Sequence, residues 1–120
     1  MATLRKPPAQ PRAKRPTAAQ LDALIEEATV DAYGDSEQRT GFHCMIEEHL
    51  ELPFTTEVLG IGVTVERIEL TDAEEIVAIC TRGKARQAIP VLDLPLPTPP
   101  PPGYEWIEAY RRWTGGARGD

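Results

Sequence analysis

Three carboxylates surround a glycine in the stretch DAYGDSEQ, residues 31–38: Asp31, Asp35 and Glu37, with the Ser36 hydroxyl among them. Calcium takes six to eight oxygens from carboxylates, carbonyls and water, and this short segment offers several of each. The competing account is a plain acidic turn between two helices, in which Asp35 or Ser36 caps and Glu37 complements the positive end of a helix dipole. An EF-hand is excluded. Counting from Asp31, the third, sixth and twelfth positions are Tyr33, Ser36 and Phe42, where Asp or Asn, Gly and Glu are needed. A second acidic group, Glu47, Glu48 and Glu51, follows on the same helical stretch. Glu37 and Glu48 are about 16 Å apart along a helix axis, so the two groups cannot share one ion. The strand connection TDAEE, with Asp72, Glu74 and Glu75, would add ligands to either group if it folds close by.

Other chemistries find less support. Cys44 lies between His43 and His49, but His43 and Cys44 are adjacent and point to different sides of a helix. No paired-cysteine spacing exists, so zinc is not expected. Cys44 and Cys80 cannot build a disulfide framework and are expected as buried or half-buried thiols. No nucleophile–histidine–acid set has recognisable spacing and no glycine loop cradles phosphate. The chain is not expected to be an enzyme.

The elements that must position these residues can be read along the chain. The first 16 residues hold five of the 13 bases, four prolines and no acid. They read as a disordered basic arm without the apolar middle of a secretory signal. Residues 17–120 are left with 8 bases against 19 acids, a net of −11 from the whole-chain −6. A body so acidic repels nucleic acid and anionic lipid and attracts cations or basic partners. No run is long enough to span a bilayer, and a cytoplasmic location is the expectation.

Thr17 and Gln20 match a capping box, and Leu21, Leu24, Ile25, Ala28 and Ala32 repeat at helical spacing. Gly34 suits the left-handed position that closes such a helix. A second helix carries Phe42, Met45, Ile46, His49 and Leu50 as its inward stripe and Gly41 where another element comes close, and Pro53 stops it. Residues 17–52 are thus expected as an antiparallel helical hairpin. Over residues 54–94 the apolar period shifts to two, with Gly60, Gly62 and Gly83 as punctuation. The expected fold is α+β: the hairpin packed on a small antiparallel SH3-like β-barrel or sheet, the whole of 17–94 forming one domain. Residues 95–103 are a proline-rich extended segment. Residues 104–113 form a short helix with Trp106, Ile107, Tyr110 and Trp113 on one side, expected to dock on the body. Residues 114–120 are expected to fray.

DAYGDSEQ, followed by Gly41 and Phe42 and then IEEHLELPF, resembles the signature of the CcbP-type calcium-binding proteins, small acidic bacterial proteins without EF-hands. The resemblance runs over residues 21–54 and is looser through the strands. It implies reversible Ca²⁺ binding through surface carboxylates, as a buffer or sensor. Asp31, Glu37, Glu47 and Glu48 match the family's recurrent acids, while Tyr33, Gly34, Gln38, Gly41, Pro53 and Phe54 match its structural positions. Asp35 joins the metal set on chemistry alone. The chain departs from the family at FHCM and in its tails. The rival expectation is a non-catalytic protein–protein interaction module built on the small barrel and the aromatic helix; calcium ions and a possible protein partner are the ligands to test.

Overall fold

The computed structural model describes residues 15–116. The basic arm up to residue 14 and the tail beyond 116 lie outside the described residues.

Helix α1 (Ala18–Ala28) opens as its sequence dictates. The Thr17 Oγ1 accepts from the Gln20 N–H, and the Gln20 side chain accepts from the Thr17 N–H. The helix ends earlier than the apolar repeat suggested. Thr29 donates its hydroxyl to the Ile25 carbonyl at 2.8 Å and becomes the C-cap, and Ala32 falls in the turn beyond. Asp31 sits there in the left-handed region, φ 62°, a conformation that Asp tolerates better than most residues. Gly34, at φ 93°, is the N-cap of α2 (Asp35–His49) and not the close of α1.

Gly41 lies where α2 crosses the end of α1. A Cβ there would run into the Ala28 carbonyl oxygen, which explains a glycine inside a helix despite its cost of about 1 kcal/mol relative to Ala. Elsewhere α1 lies mainly against the C-terminal helix α3 (Glu105–Gly116). An Asp22–Arg112 ion pair at 2.7 Å bolts these two together. The three helices thus form one layer, in which α1 touches both α2 and α3.

Strands β1 (Phe54–Val58), β2 (Ile61–Leu70), β3 (Ile76–Arg82) and β4 (Ala85–Pro90) form one antiparallel sheet in the order β1-β2-β3-β4. The sheet is open: β1 pairs only with β2 and β4 only with β3. The SH3-like barrel is thus corrected to the alternative of an open sheet. The helical layer covers one face, so burial does not require closure. A β-bulge between Val65 and Arg67 shifts the register. It lets Val65 and Ile68, three positions apart, both face the core. Ile76, Ala78 and Cys80 do so from β3, in the same buried cluster as Phe42, Ile46 and Leu50 of α2. On the opposite face Val77 and Ile79 are also buried, flanked by Arg67 and Glu69 of β2 and Ala88 and Pro90 of β4.

A 3₁₀ turn at Val91–Asp93 leads into the proline-rich segment, which is a strap and not a free tail. The Thr56 hydroxyl donates to the Pro95 carbonyl and the Glu51 N–H to the Pro102 carbonyl. The strap delivers α3, which buries Trp106, Ile107, Ala109 and Tyr110 in the common core. The described helix runs on through Gly116.

Candidate functional site

Five acids were singled out by sequence: Asp31, Asp35, Glu37, Glu47 and Glu48. All are exposed. Asp31 lies in the α1–α2 turn, and Asp35 and Glu37 in the first turn of α2. The Glu37 carboxylate folds back to accept from the Tyr33 N–H at 2.9 Å. This satisfies one of the backbone donors that precede the helix, in the manner of a capping box without its hydroxyl partner. Asp31 lies beyond the last turn of α1, which ends at Ala28 with Thr29 as its C-cap.

The corner gains a neighbour from far along the chain. Glu74, at φ 64° in the β2–β3 connection, accepts from the Ser36 hydroxyl at 2.8 Å across 38 residues. The loop that presents it is closed by three bonds: Thr71 N–H to the Glu75 carbonyl, Glu74 N–H to the Thr71 carbonyl, and Glu75 N–H to the Thr71 hydroxyl. Of the two acidic groups that TDAEE could have joined, it is the α1–α2 corner that receives a carboxylate. The side chains of Asp31, Asp35, Glu37 and Glu74 thus come from one region of surface on three separate segments. They are not drawn together: among the described residues no three His, Cys, Asp or Glu converge as a ready metal cage.

The second group, Glu47, Glu48 and Glu51, runs out at the C-terminal end of α2. Glu47 stands 3.9 Å from His43 Nε2, an atom that is buried without a hydrogen-bond partner. Asp22, which an antiparallel hairpin would have brought to these acids, is held instead by Arg112. That guanidinium keeps the Asp22 carboxyl below its usual value through the hydrogen bond between them. His49 is exposed and not on the inward stripe; it stacks on Trp106 with ring centroids 5.1 Å apart. Cys44 is exposed and Cys80 buried, which corrects the expectation for Cys44.

Behind the corner the first turns of α2 are anchored to α3. Gln38 accepts from the Trp113 indole N–H at 3.2 Å, and the Arg39 guanidinium lies 5.2 Å over the Trp113 ring. Phe42 packs between Tyr110 and Trp113, each centroid 5.3 Å away. Sequence reasoning had placed the aromatic residues on one face without showing what they grip. The signal available was the lone base Arg39 within an acidic helix, a partner for an aromatic ring as much as for a carboxylate.

Comparison with known families finds a match over residues 22–114 to the family model described as calcium binding, of the CcbP type. Searches of curated proteins and of solved structures give no match. Among the described residues no helix is long and apolar enough to cross a membrane.

Proposed function

The chain belongs to the CcbP-type calcium-binding family, and we propose that it binds Ca²⁺ through exposed carboxylates at the α1–α2 corner, outside any EF-hand, as a buffer or sensor without catalytic activity. Asp31, Asp35 and Glu37 are the corner's own ligands in this reading and Glu74 is the addition from the sheet. Glu47 and Glu48 form a separate, weaker locus at the far end of α2. The Ser36–Glu74 hydrogen bond carries the proposal, since it places an oxygen of the β2–β3 loop beside the first turn of α2.

The donors suit a hard cation: carboxylates, a hydroxyl and the carbonyls of an irregular turn are all oxygen. Their present engagements set the affinity. To coordinate, Glu37 must loosen from the Tyr33 N–H and Glu74 from Ser36, so part of the ion's binding free energy goes into rearrangement. Affinity should therefore fall at the weak end of the calcium range, roughly 10⁻⁴ to 10⁻³ M. Mg²⁺, which demands a tight octahedron and dehydrates reluctantly, should bind less well at so adaptable a corner.

Calorimetric titration of Ca²⁺ and Mg²⁺ tests this on the chain, on Asp31→Asn with Glu37→Gln, and on Glu74→Gln. Calcium heat that is lost in the double variant and weakened in Glu74→Gln is the expected result. Binding that survives the double variant would move the site to Glu47 and Glu48. Absence of heat at millimolar calcium would leave the interaction module as the better account.

A further inference from the structure

The meander segregates charge to opposite ends of the sheet. Between Glu75 and Asp93 the chain carries Arg82, Lys84 and Arg86 and no acid. These bases flank the β3–β4 turn, and all three are exposed. In an antiparallel meander the β1–β2 turn lies at that same end, and here it presents apolar side chains to solvent: Leu59 is 95% exposed and Ile61 49%. The Arg82 guanidinium donates to the Gly62 carbonyl at 2.9 Å and ties the two turns together. Between them is a hollow of about 320 Å³ lined by Thr55, Gly62, Thr64, Thr81 and Arg82 among others. Two carboxylates lie near this tip: Glu57 on β1 and Glu66 on β2, which accepts from the Thr81 hydroxyl at 3.0 Å.

The other end of β2, roughly 30 Å away at about 3.3 Å per residue, is the inverse. Asp72, Glu74 and Glu75 occupy the β2–β3 connection, tied to the α1–α2 corner by Ser36. Set into that acidic surface are two more exposed apolar side chains, Tyr33 at 81% and Val30 at 66%. One end thus pairs an apolar centre with bases and the other pairs an apolar centre with acids. Both halves of a complementary contact are on one molecule, at opposite poles.

We propose that the basic, Leu59-centred tip is a docking surface for the acidic, Tyr33-centred corner of a second copy of this chain, giving a weak head-to-tail association. Opposite potentials steer such an encounter and fix its orientation, while the exposed apolar side chains supply the burial. The contact is heterologous, so it has no built-in closure. This inference stands on the charge distribution and does not require the calcium reading.

Sedimentation of the full chain tests it. At about 0.01 M ionic strength, where the Debye length is roughly 30 Å, the sedimentation coefficient should rise with protein concentration; at about 1 M, where it is roughly 3 Å, the rise should vanish. A tip variant (Leu59→Asn, Lys84→Gln, Arg86→Gln) and a corner variant (Tyr33→Ser, Asp72→Asn, Glu74→Gln), each checked for native circular dichroism, should both remain monomeric alone. Mixed, they retain one intact pole each and should form a 1:1 dimer that grows no further. A wild-type chain that stays monomeric at low salt overturns the proposal. So does self-association of the tip variant, or a mixture that stays monomeric.

Discussion

At the scale of single residues, two thiols of one chain sit in opposite environments. Cys44 is exposed on α2, whereas Cys80 is buried on β3 and its desolvation pushes the thiol above its ordinary value. Only the thiolate attacks an alkylating agent, so iodoacetamide at neutral pH should label Cys44 alone. Mass spectrometry of the native chain should find one modified thiol, and two after unfolding; fast labelling of both would contradict the burial of Cys80. Asp22 offers a second residue-scale test. Arg112 lowers its carboxyl in the folded chain, so the tie helps at pH values above the unfolded value and disappears as the pH falls through the lower, folded one. Asp22→Asn should therefore show its stability deficit at neutral pH. The gap to the wild type should close in acid, as read from urea midpoints across a pH series.

Between elements, the decisive contacts join segments far apart in the chain, and this separates what was legible from what was not. Local chemistry was readable: Thr17 with Gln20 names the start of α1, and the change of period after Phe54 announces strands. Gly34 was ambiguous because a left-handed glycine can end one helix or begin the next, and only the Thr29 hydroxyl on Ile25 decides it. Closure of the sheet depends on whether β1 meets β4, and alternation along each strand is the same in both cases. The five acids could be picked by type, but Glu74's place beside Ser36 depends on a contact 38 residues long. Gly41 is the position where sequence and packing agree most directly. Gly41→Ala gains up to about 1 kcal/mol of helix propensity. It also drives a methyl into the Ala28 carbonyl, and overpacking of this kind costs about 1–3 kcal/mol. Net destabilisation is expected, seen as a lower urea midpoint with unchanged slope; an unchanged or higher midpoint would mean that α1 can move aside freely. Phe42→Ala, which empties a fully buried ring site between Tyr110 and Trp113, should cost about 3–5 kcal/mol.

Over the whole molecule the governing quantity is the excess of acids, −6 for the chain and −11 over residues 17–120. Self-repulsion of this kind destabilises the compact state, and any salt relieves it by screening. A rise in melting temperature with CaCl₂ is thus ambiguous by itself, and the comparison must be made at matched ionic strength. Screening treats NaCl and CaCl₂ alike once that is done, whereas a coordinating corner adds a term RT ln(1 + [Ca²⁺]/Kd), about 1.4 kcal/mol at ten times Kd. For a domain of this size that corresponds to a shift of several degrees. We expect the shift with Ca²⁺ over matched NaCl, a smaller one with MgCl₂, and its loss in the Asp31→Asn, Glu37→Gln chain. That variant relieves repulsion by two charges but gives up the Glu37 charge at the positive end of α2 and its acceptance from the Tyr33 N–H, so its melting temperature in NaCl alone is its own baseline. A chain that still melts cooperatively in NaCl yet is deaf to calcium is the outcome that ties the acidity of the corner to ligation, because the NaCl baseline absorbs the changes in repulsion and capping, and only the loss of ligands removes the calcium increment.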